Sequence, residues 1–394
     1  MTERLYYHDS NLLEFEATIV RTGKQDGRTF TVLDKSAFYP TSGGQQYDTG
    51  RLNTTDIVDV QEGPEGEVLH FSRQPVSAAG TSVMGVVDRE RRRRHCCFHT
   101  AQHILSHIFA TLFDMPTVSV HLGEEYGAVE LQGSVPSSEQ LDQVEKRANE
   151  IIREAHPVTI IFAEGDELAS MPLRKPPQRG GKVRVVRIGE LECVACGGTH
   201  CSNSAEVGML KIVGVEKLRG HPLVKFLVAE RAFEDYRSRF EVTSQLAQSL
   251  TCHHQDLPDK FAVLAAENKS VRRQLTDLYK ELLPRRAEVI AEKARLESKK
   301  LVCSRSELPD SRLAGQLAPL VADEIKGVAL LVHDTRLFVA CAQGSTFDAG
   351  ELAKQLSERF GLKGGGNSRL AQLGGVESDK LAEIEVFLNT VVQG

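Results

Sequence analysis

Two histidines four residues apart stand in His99-Thr100-Ala101-Gln102-His103. On a helix that spacing puts both imidazoles on one face, with Cβ atoms roughly 5–6 Å apart, near enough to share one ion. His95 and His107 extend the series, but a turn of 3.6 residues rotates each step of four by about 40° and fans them away from a common point. They suit a supporting or surface role. Further along, Cys196-Gly197-Gly198-Thr199-His200 joins a thiol to an imidazole across two glycines, whose backbone freedom lets a loop fold until both side chains converge. Three imidazoles and one thiolate form a donor set suited to zinc. Cys193 and Cys201 flank this second motif and either compete as ligands or pack, whereas Cys96 and Cys97 read as packing residues. Four protein ligands close a tetrahedron, the usual pattern of a structural site, while hydrolysis needs an open position for water. A catalytic site here requires one displaceable ligand, and His200, at the far end of the glycine loop, is the expected one.

The elements that must position these groups follow from pattern. FEATIVR, RTFTVLD and EVLHFS are short β-branched and aromatic runs separated by turn signals, which predicts a small β-barrel or sandwich over residues 1–87. Inside it lies AFYPTSGGQQYDTG, with the Gly43-Gly44 pair. At Asp88 the composition shifts to DRERRRRHCCFHTAQHILSHIFATLF, whose Phe98, Ile104, Leu105, Ile108, Phe109 and Leu112 follow amphipathic helical spacing. This opens a central α+β domain over 88–228, with a second helix capped by Ser137 or Ser138. Residues 229–305 read as a polar helical hairpin or short coiled coil, broken or kinked at Pro258 and Pro284. Phe261, Leu264, Leu275, Leu278 and Leu282 fit either a homodimer through this segment or packing within one chain. Residues 306–394 alternate again as a small α/β domain with a glycine-rich loop. The fold class is therefore α+β multidomain.

Composition narrows the function classes. The chain has 394 residues, 48 Lys and Arg against 54 Asp and Glu for a net charge of −6, and 41% hydrophobic residues. That is an ordinary globular profile, with no stretch long and apolar enough to span a membrane and no apolar run at the start, so a soluble cytoplasmic protein is expected. Eight cysteines in so long a chain are too sparse for a disulfide framework. Local basic clusters, Arg91 to Arg94 and Arg174-Lys175 with Arg179 and Lys182, suit phosphates despite the net acidity.

The paired motifs, HTAQH followed by RVVRIGELECVACGGTHC and AEVG, resemble the editing domain of alanyl-tRNA synthetase and the AlaX proteins that share it. AFYPTSGGQQYDTG resembles that family's glycine-rich segment on an N-terminal β-barrel, and KGGGNSRLAQLGG its C-terminal tRNA-binding glycine motif. Together they look like the long form of AlaX. The sequence departs from the pattern at Cys201, Ser204 and Cys193, none of which removes a proposed ligand. No segment resembles the class II aminoacylation core, so the resemblance implies action in trans on tRNA charged elsewhere.

It implies hydrolysis of serine, and in some members glycine, from alanine tRNA, with Zn2+ held by His99, His103, Cys196 and His200. The zinc would either activate water or hold the substrate's amino group. Thr100, Gly43, Gly44 and His121 are the expected pocket residues. Arg91, Arg92, Arg174, Lys175, Lys363, Gly364, Gly365, Gly366 and Arg369 are the expected nucleic-acid contacts. A pocket built for alanine excludes neither smaller glycine nor nearly isosteric serine well, which is why a second hydrolytic site is needed. The competing expectation is a tRNA-binding protein whose zinc only braces the fold.

Overall fold

Strand β1 (Glu14–Gln25) begins in strict alternation, with Phe15, Ala17 and Ile19 inward and Glu14, Glu16 and Thr18 in solvent. A period of two fixes which face is buried, and with it the register. The strand joins β2 (Arg28–Leu33), β3 (Gly50–Leu52), β4 (Thr55–Glu62), β5 (Val68–Ser72) and β6 (Ser82–Val87) in a closed antiparallel barrel of order β1-β2-β5-β4-β3-β6. Leu33, Phe38, Leu52, Ile57, Val60 and Val83 fill it. The computed structural model describes residues 1–175, 181–377 and 380–393, arranged as two compact units, 1–245 and 246–394.

The glycine-rich segment leaves the barrel between β2 and β3, and a buried relay fixes its root. His70 Nδ1 lies 3.0 Å from the Thr31 carbonyl, which only accepts, so that nitrogen carries the proton. Nε2 therefore accepts from Ser36 Oγ at 2.8 Å, and Ser36 Oγ accepts from the Phe38 N–H at 3.1 Å.

Asp88 caps α1 (Arg89–Phe113), its carboxylate accepting from the N–H groups of Glu90 and Arg91. The sequence marks one apolar face on this helix. The structure instead buries almost its whole circumference from His95 to Phe109 and leaves Leu112 exposed. The reason is that the histidine face is covered too. After α1 come β7 (Thr117–Leu122), β8 (Gly127–Leu131) and α2 (Ser138–Arg153), the last capped by Ser137 with Gln140 reciprocating. Next are β9 (Val158–Ala163), β10 (Val183–Ile188), β11 (Glu192–Ala195), β12 (Leu210–Leu218) and β13 (His221–Val228). One antiparallel sheet runs β12-β13-β8-β7 and a second runs β9-β10-β11. Phe98, Leu105 and Phe109 of α1 share a core with Val129 and Phe226 of the larger sheet.

Helix α3 (Ala229–Ser249) follows, and the second unit holds α4 (Leu257–Leu296). The sequence predicts breaks or kinks at Pro258 and Pro284; a helix boundary does fall at Pro258, since α3 ends at Ser249 and α4 begins at Leu257, whereas α4 runs on past Pro284. Pro258 sits in the first turn, where its missing N–H would be unpaired anyway. Past Leu282, Leu283, Ala287, Ala291 and Ala294 pack against α5 (Ser311–Ile325). The sheet beneath uses β14 (Leu301–Arg305), β15 (Val328–His333), β16 (Arg336–Cys341), β17 (Lys363–Gly366) and β18 (Leu370–Gly374), ordered β14-β15-β16-β18-β17, with α6 (Ala349–Phe360) and α7 (Leu381–Gln393) completing the unit. Among the described residues no helix is long and apolar enough to cross a membrane.

Candidate metal and active site

Helix α1 carries His99 and His103 on one face, and the loop leaving β11 lays Cys196 and His200 against it. The four donor atoms all lie within 4.8 Å of one another. Cys196 Sγ is 3.4 Å from His99 Nε2 and 3.3 Å from His200 Nε2. The loop is held open for this by Arg184, whose Nη1 donates to the Cys196 carbonyl at 2.6 Å. Its two glycines are not equivalent. A Cβ on Gly198 would sit 2.1 Å from His99 Cε1, whereas one on Gly197 would meet nothing nearer than Tyr7 Oη at 3.6 Å. Close approach of the imidazole, rather than flexibility of both residues, is what demands glycine at 198. Cys193 and Cys201 stand outside the donor group; Cys201 Sγ lies 3.9 Å from Cys97 Sγ in the core.

His99 and His200 are each hydrogen-bonded on the far side, and His103 faces a carboxylate. Gln45, fully buried on the barrel's glycine segment, accepts from His99 Nδ1 at 2.8 Å and from the Thr199 N–H at 3.2 Å, and donates to Thr199 Oγ1 at 2.9 Å. Thr100 Oγ1 lies 3.3 Å from His200 Nδ1 and accepts from the Cys201 N–H at 3.1 Å. Glu192 Oε1 lies 3.7 Å from His103 Nδ1, Oε2 lies 3.4 Å from His107 Nδ1, and Arg174 Nε donates to Oε1 at 2.7 Å. With Nδ1 of His99 and His200 turned outward to oxygen, Nε2 of each keeps its lone pair toward Cys196. That is how carboxylate, amide and hydroxyl partners set the tautomer of metal-binding histidines.

The electrostatics fit a cation. Burial pushes the Cys196 thiol up, but His99, His200 and His103 more than offset it and hold the thiol well below its ordinary value. Burial and neighbouring His99 drive His200 down to about 3, against the pull of the thiolate. Burial lowers His103 too, yet Cys196 and Glu192 outweigh it and raise the ring to about 9. Glu192, pushed up by burial, is brought down to about 2 by His103, His107 and Arg174. A thiolate, a neutral His200 ring, the His99 ring and a His103 ring whose proton a cation can replace make a donor set for a zinc-like ion.

The other expected site residues divide. Gly43 and Gly44 take left-handed φ of 58° and 85°, and the Leu122 N–H donates to the Gly44 carbonyl at 2.9 Å, docking the glycine segment on β7 beside Gln45. A Cβ on Gly44 would meet the Val120 carbonyl oxygen at 2.7 Å. Thr100 is fully buried, and its hydroxyl is engaged by His200 and the Cys201 N–H, so its place is that of a ring brace rather than a contact for a serine hydroxyl. His121 is exposed with its ring 5.9 Å from that of Tyr126, and is not among the four donors.

Arg92 corrects the expectation of a phosphate contact. It is 2% exposed, pairs with buried Asp48 and donates to the Ser10 and Ala37 carbonyls, tying α1 to the barrel. Arg91 pairs with Glu124 and donates to the Tyr47 carbonyl at 2.8 Å. Arg174 is held by Glu192, and Lys175 donates to the Thr117 carbonyl. Arg179 lies outside the described residues. In the second unit Arg369 pairs with Asp323 and donates to the Cys341 carbonyl, while Lys363 and Gly364 to Gly366 form the exposed edge strand β17. Sequence reasoning missed Gln45 and Glu192. Their signals were adjacency to the Gly43-Gly44 pair and a place four residues before Cys196.

Residues 183–221 match the family described as the threonyl and alanyl tRNA synthetase second additional domain. Alanine–tRNA ligase of Archaeoglobus fulgidus is 30% identical over 94% of this chain and 42% of the ligase, and that of Methanopyrus kandleri 30% over 97% and 44%. The chain thus spans less than half the length of these ligases. The alanyl-tRNA editing protein AlaX-L of Pyrococcus horikoshii is 29% identical over 94% of both chains.

Proposed function

The chain belongs to the family that unites long-form alanyl-tRNA editing proteins with the matching half of alanine–tRNA ligases, and from that premise we propose that it deacylates alanine tRNA mischarged with serine, and also with glycine. The reaction is ester hydrolysis: water adds to the aminoacyl carbonyl carbon, the bond to the ribose oxygen breaks, and the free amino acid and tRNA leave. The reading further assigns the barrel over 1–87 and the domain over 88–228 to editing, 229–305 to a helical spacer and 306–394 to tRNA, in a cytoplasmic protein acting in trans.

The observation that carries this reading is the convergence of three separately braced imidazoles and one thiolate. His99, His103, Cys196 and His200 would hold Zn2+, which would supply a Lewis acid at the ester. Gln45 and Thr100 hold the tautomers of His99 and His200, and the Glu192 carboxylate faces His103, so little reorganisation is needed when substrate arrives. Gly43 and Gly44, two positions and one position before Gln45, are the proposed pocket wall, with His121 at its margin. Exposed Arg93 and the β17 edge supply proposed phosphate contacts.

The test is deacylation of serylated alanine tRNA by the purified chain, with zinc content measured alongside. His99→Ala and Cys196→Ala are expected to lower both bound zinc and hydrolysis at least tenfold while sparing tRNA binding. Bound zinc without turnover in the unsubstituted chain would leave the metal as a brace for a tRNA-binding protein. Full hydrolysis by a zinc-depleted variant would remove the metal from the mechanism.

A further inference from the structure

Cys97 and Cys201 are 104 residues apart in sequence, yet their sulfurs lie 3.9 Å apart and both residues are buried. Cys97 sits on α1 two residues before His99, and Cys201 follows His200 in the ligand loop. Neighbours on both segments fix their orientation. The Cys97 thiol donates to the Glu206 carbonyl at 3.3 Å, the Cys201 thiol donates to Cys97 Sγ, and the Cys201 N–H donates to Thr100 Oγ1 of α1 at 3.1 Å. Neither sulfur is among the four metal donors. A disulfide needs its sulfurs about 2.05 Å apart, so this pair must close by about 2 Å, a distance that side-chain rotation covers. Cys97 is the member that borders a cavity, of about 480 Å³, which Arg89, Arg93, Arg94, Ala229 and Arg231 also line; Cys201 is not part of that lining.

We propose that Cys97 and Cys201 are a dithiol modification site, converted by hydrogen peroxide to a disulfide that staples α1 to the ligand loop. Peroxide enters by the cavity, where arginine N–H groups meet its oxygens. The Cys97 sulfur takes one of them: an S–O bond forms, the O–O bond breaks, and the other oxygen leaves as water with the thiol proton. The Cys201 sulfur then attacks Cys97. The S–S bond forms, the S–O bond breaks, and the hydroxyl leaves as a second water with the Cys201 proton. Each sulfur is oxidised by one electron and the peroxide is reduced by two. A dithiol reductant reverses the bond by exchange. The link joins the two segments that carry the metal donors, and closing so long a loop removes freedom from the unfolded chain. It therefore holds those segments together whatever ion the cluster takes.

The full chain is treated with a small excess of hydrogen peroxide, its remaining thiols are alkylated, and its peptides are mapped by mass. A linked pair of the Cys97 and Cys201 peptides is expected, lighter by two hydrogen atoms than the separate peptides and lost on adding dithiothreitol. The oxidised chain should melt about 5 °C or more above the reduced chain. In Cys201→Ser the oxygen stays on Cys97, where dimedone captures it and the melting temperature does not rise. In Cys97→Ser dimedone should find nothing at Cys201. The mapping of the unsubstituted chain depends on neither variant. Cys97 and Cys201 both alkylated after peroxide, or linked to other cysteines instead, overturn the proposal. Dimedone on Cys201 in Cys97→Ser overturns the order of attack, and a linked pair with no rise in melting temperature overturns the staple.

Discussion

Gln45 holds two parts of the site at once. Its carbonyl oxygen takes the His99 Nδ1 proton and the Thr199 N–H, and its amide returns a hydrogen bond to Thr199, so one barrel residue orients a ligand ring and pins the loop that carries Cys196 and His200. Gln45→Ala removes all three contacts and strands a buried N–H, an unsatisfied donor that costs about 1–3 kcal/mol. The expected result is a 10–100-fold loss of zinc affinity, the usual effect of deleting a partner behind a ligand. Gln45→Glu keeps both acceptor contacts and should retain most of the affinity. Competition with a chromophoric chelator measures this, and equal affinity for Gln45→Ala and the unsubstituted chain would show that His99 is oriented by its helix alone. Gly198 sets the same constraint from the other side, since no side chain fits between its Cα and the His99 ring.

At the scale of elements, the barrel must hold the root of the glycine segment rigidly for Gln45 to arrive, and His70 does this as a neutral ring between Thr31 and Ser36. Burial pushes its pKa from 6.5 down to about 4, against smaller opposing contributions from the Thr31 and Val68 backbone. The unfolded chain therefore binds the extra proton between those values. The stabilisation is complete above about pH 6.5 and is lost as pH falls toward 4, at most about 3 kcal/mol. Urea unfolding at pH 7 and 4.5 should show the unsubstituted chain losing about 2–3 kcal/mol more than His70→Gln does, and parallel losses would refute the assignment. Little of this was legible in sequence. The histidine and cysteine motifs were, because their spacing alone brings side chains to one face or one loop. The strands were, because alternation shows locally. Gln45, Glu192 and the Arg92–Asp48 pair act through contacts between elements distant in sequence, so no window reveals them. Arg92 looked like part of a solvated basic run because burial belongs to the barrel packed over it. Pro284 looked like a break because the packing that carries α4 through it comes from α5.

For the whole molecule, hydrolysis is proposed for the unit over 1–245 and recognition of tRNA for the unit over 246–394. The glycines of β17 allow that division to be tested without disturbing the fold. A Cβ on Gly364 would lie 2.1 Å from the Gln372 carbonyl oxygen, and one on Gly366 would lie 2.2 Å from that of Leu370, so β18 alone explains glycine at both. Gly365 is different: a Cβ there meets nothing within 4 Å, and its φ is not left-handed. Nothing inside the protein requires glycine at 365, on an edge strand whose outer side is open. If that edge lets backbone amides approach a phosphate, Gly365→Val should leave the melting temperature within about 2 °C, as expected of a surface change of under 0.5 kcal/mol. It should also weaken alanine-tRNA binding severalfold, while hydrolysis at saturating substrate stays the same. Filter binding at fixed salt separates the outcomes, since phosphate affinity depends steeply on ionic strength. Unchanged affinity would assign the glycine run to the β17–β18 turn alone and move the tRNA contact elsewhere on the chain.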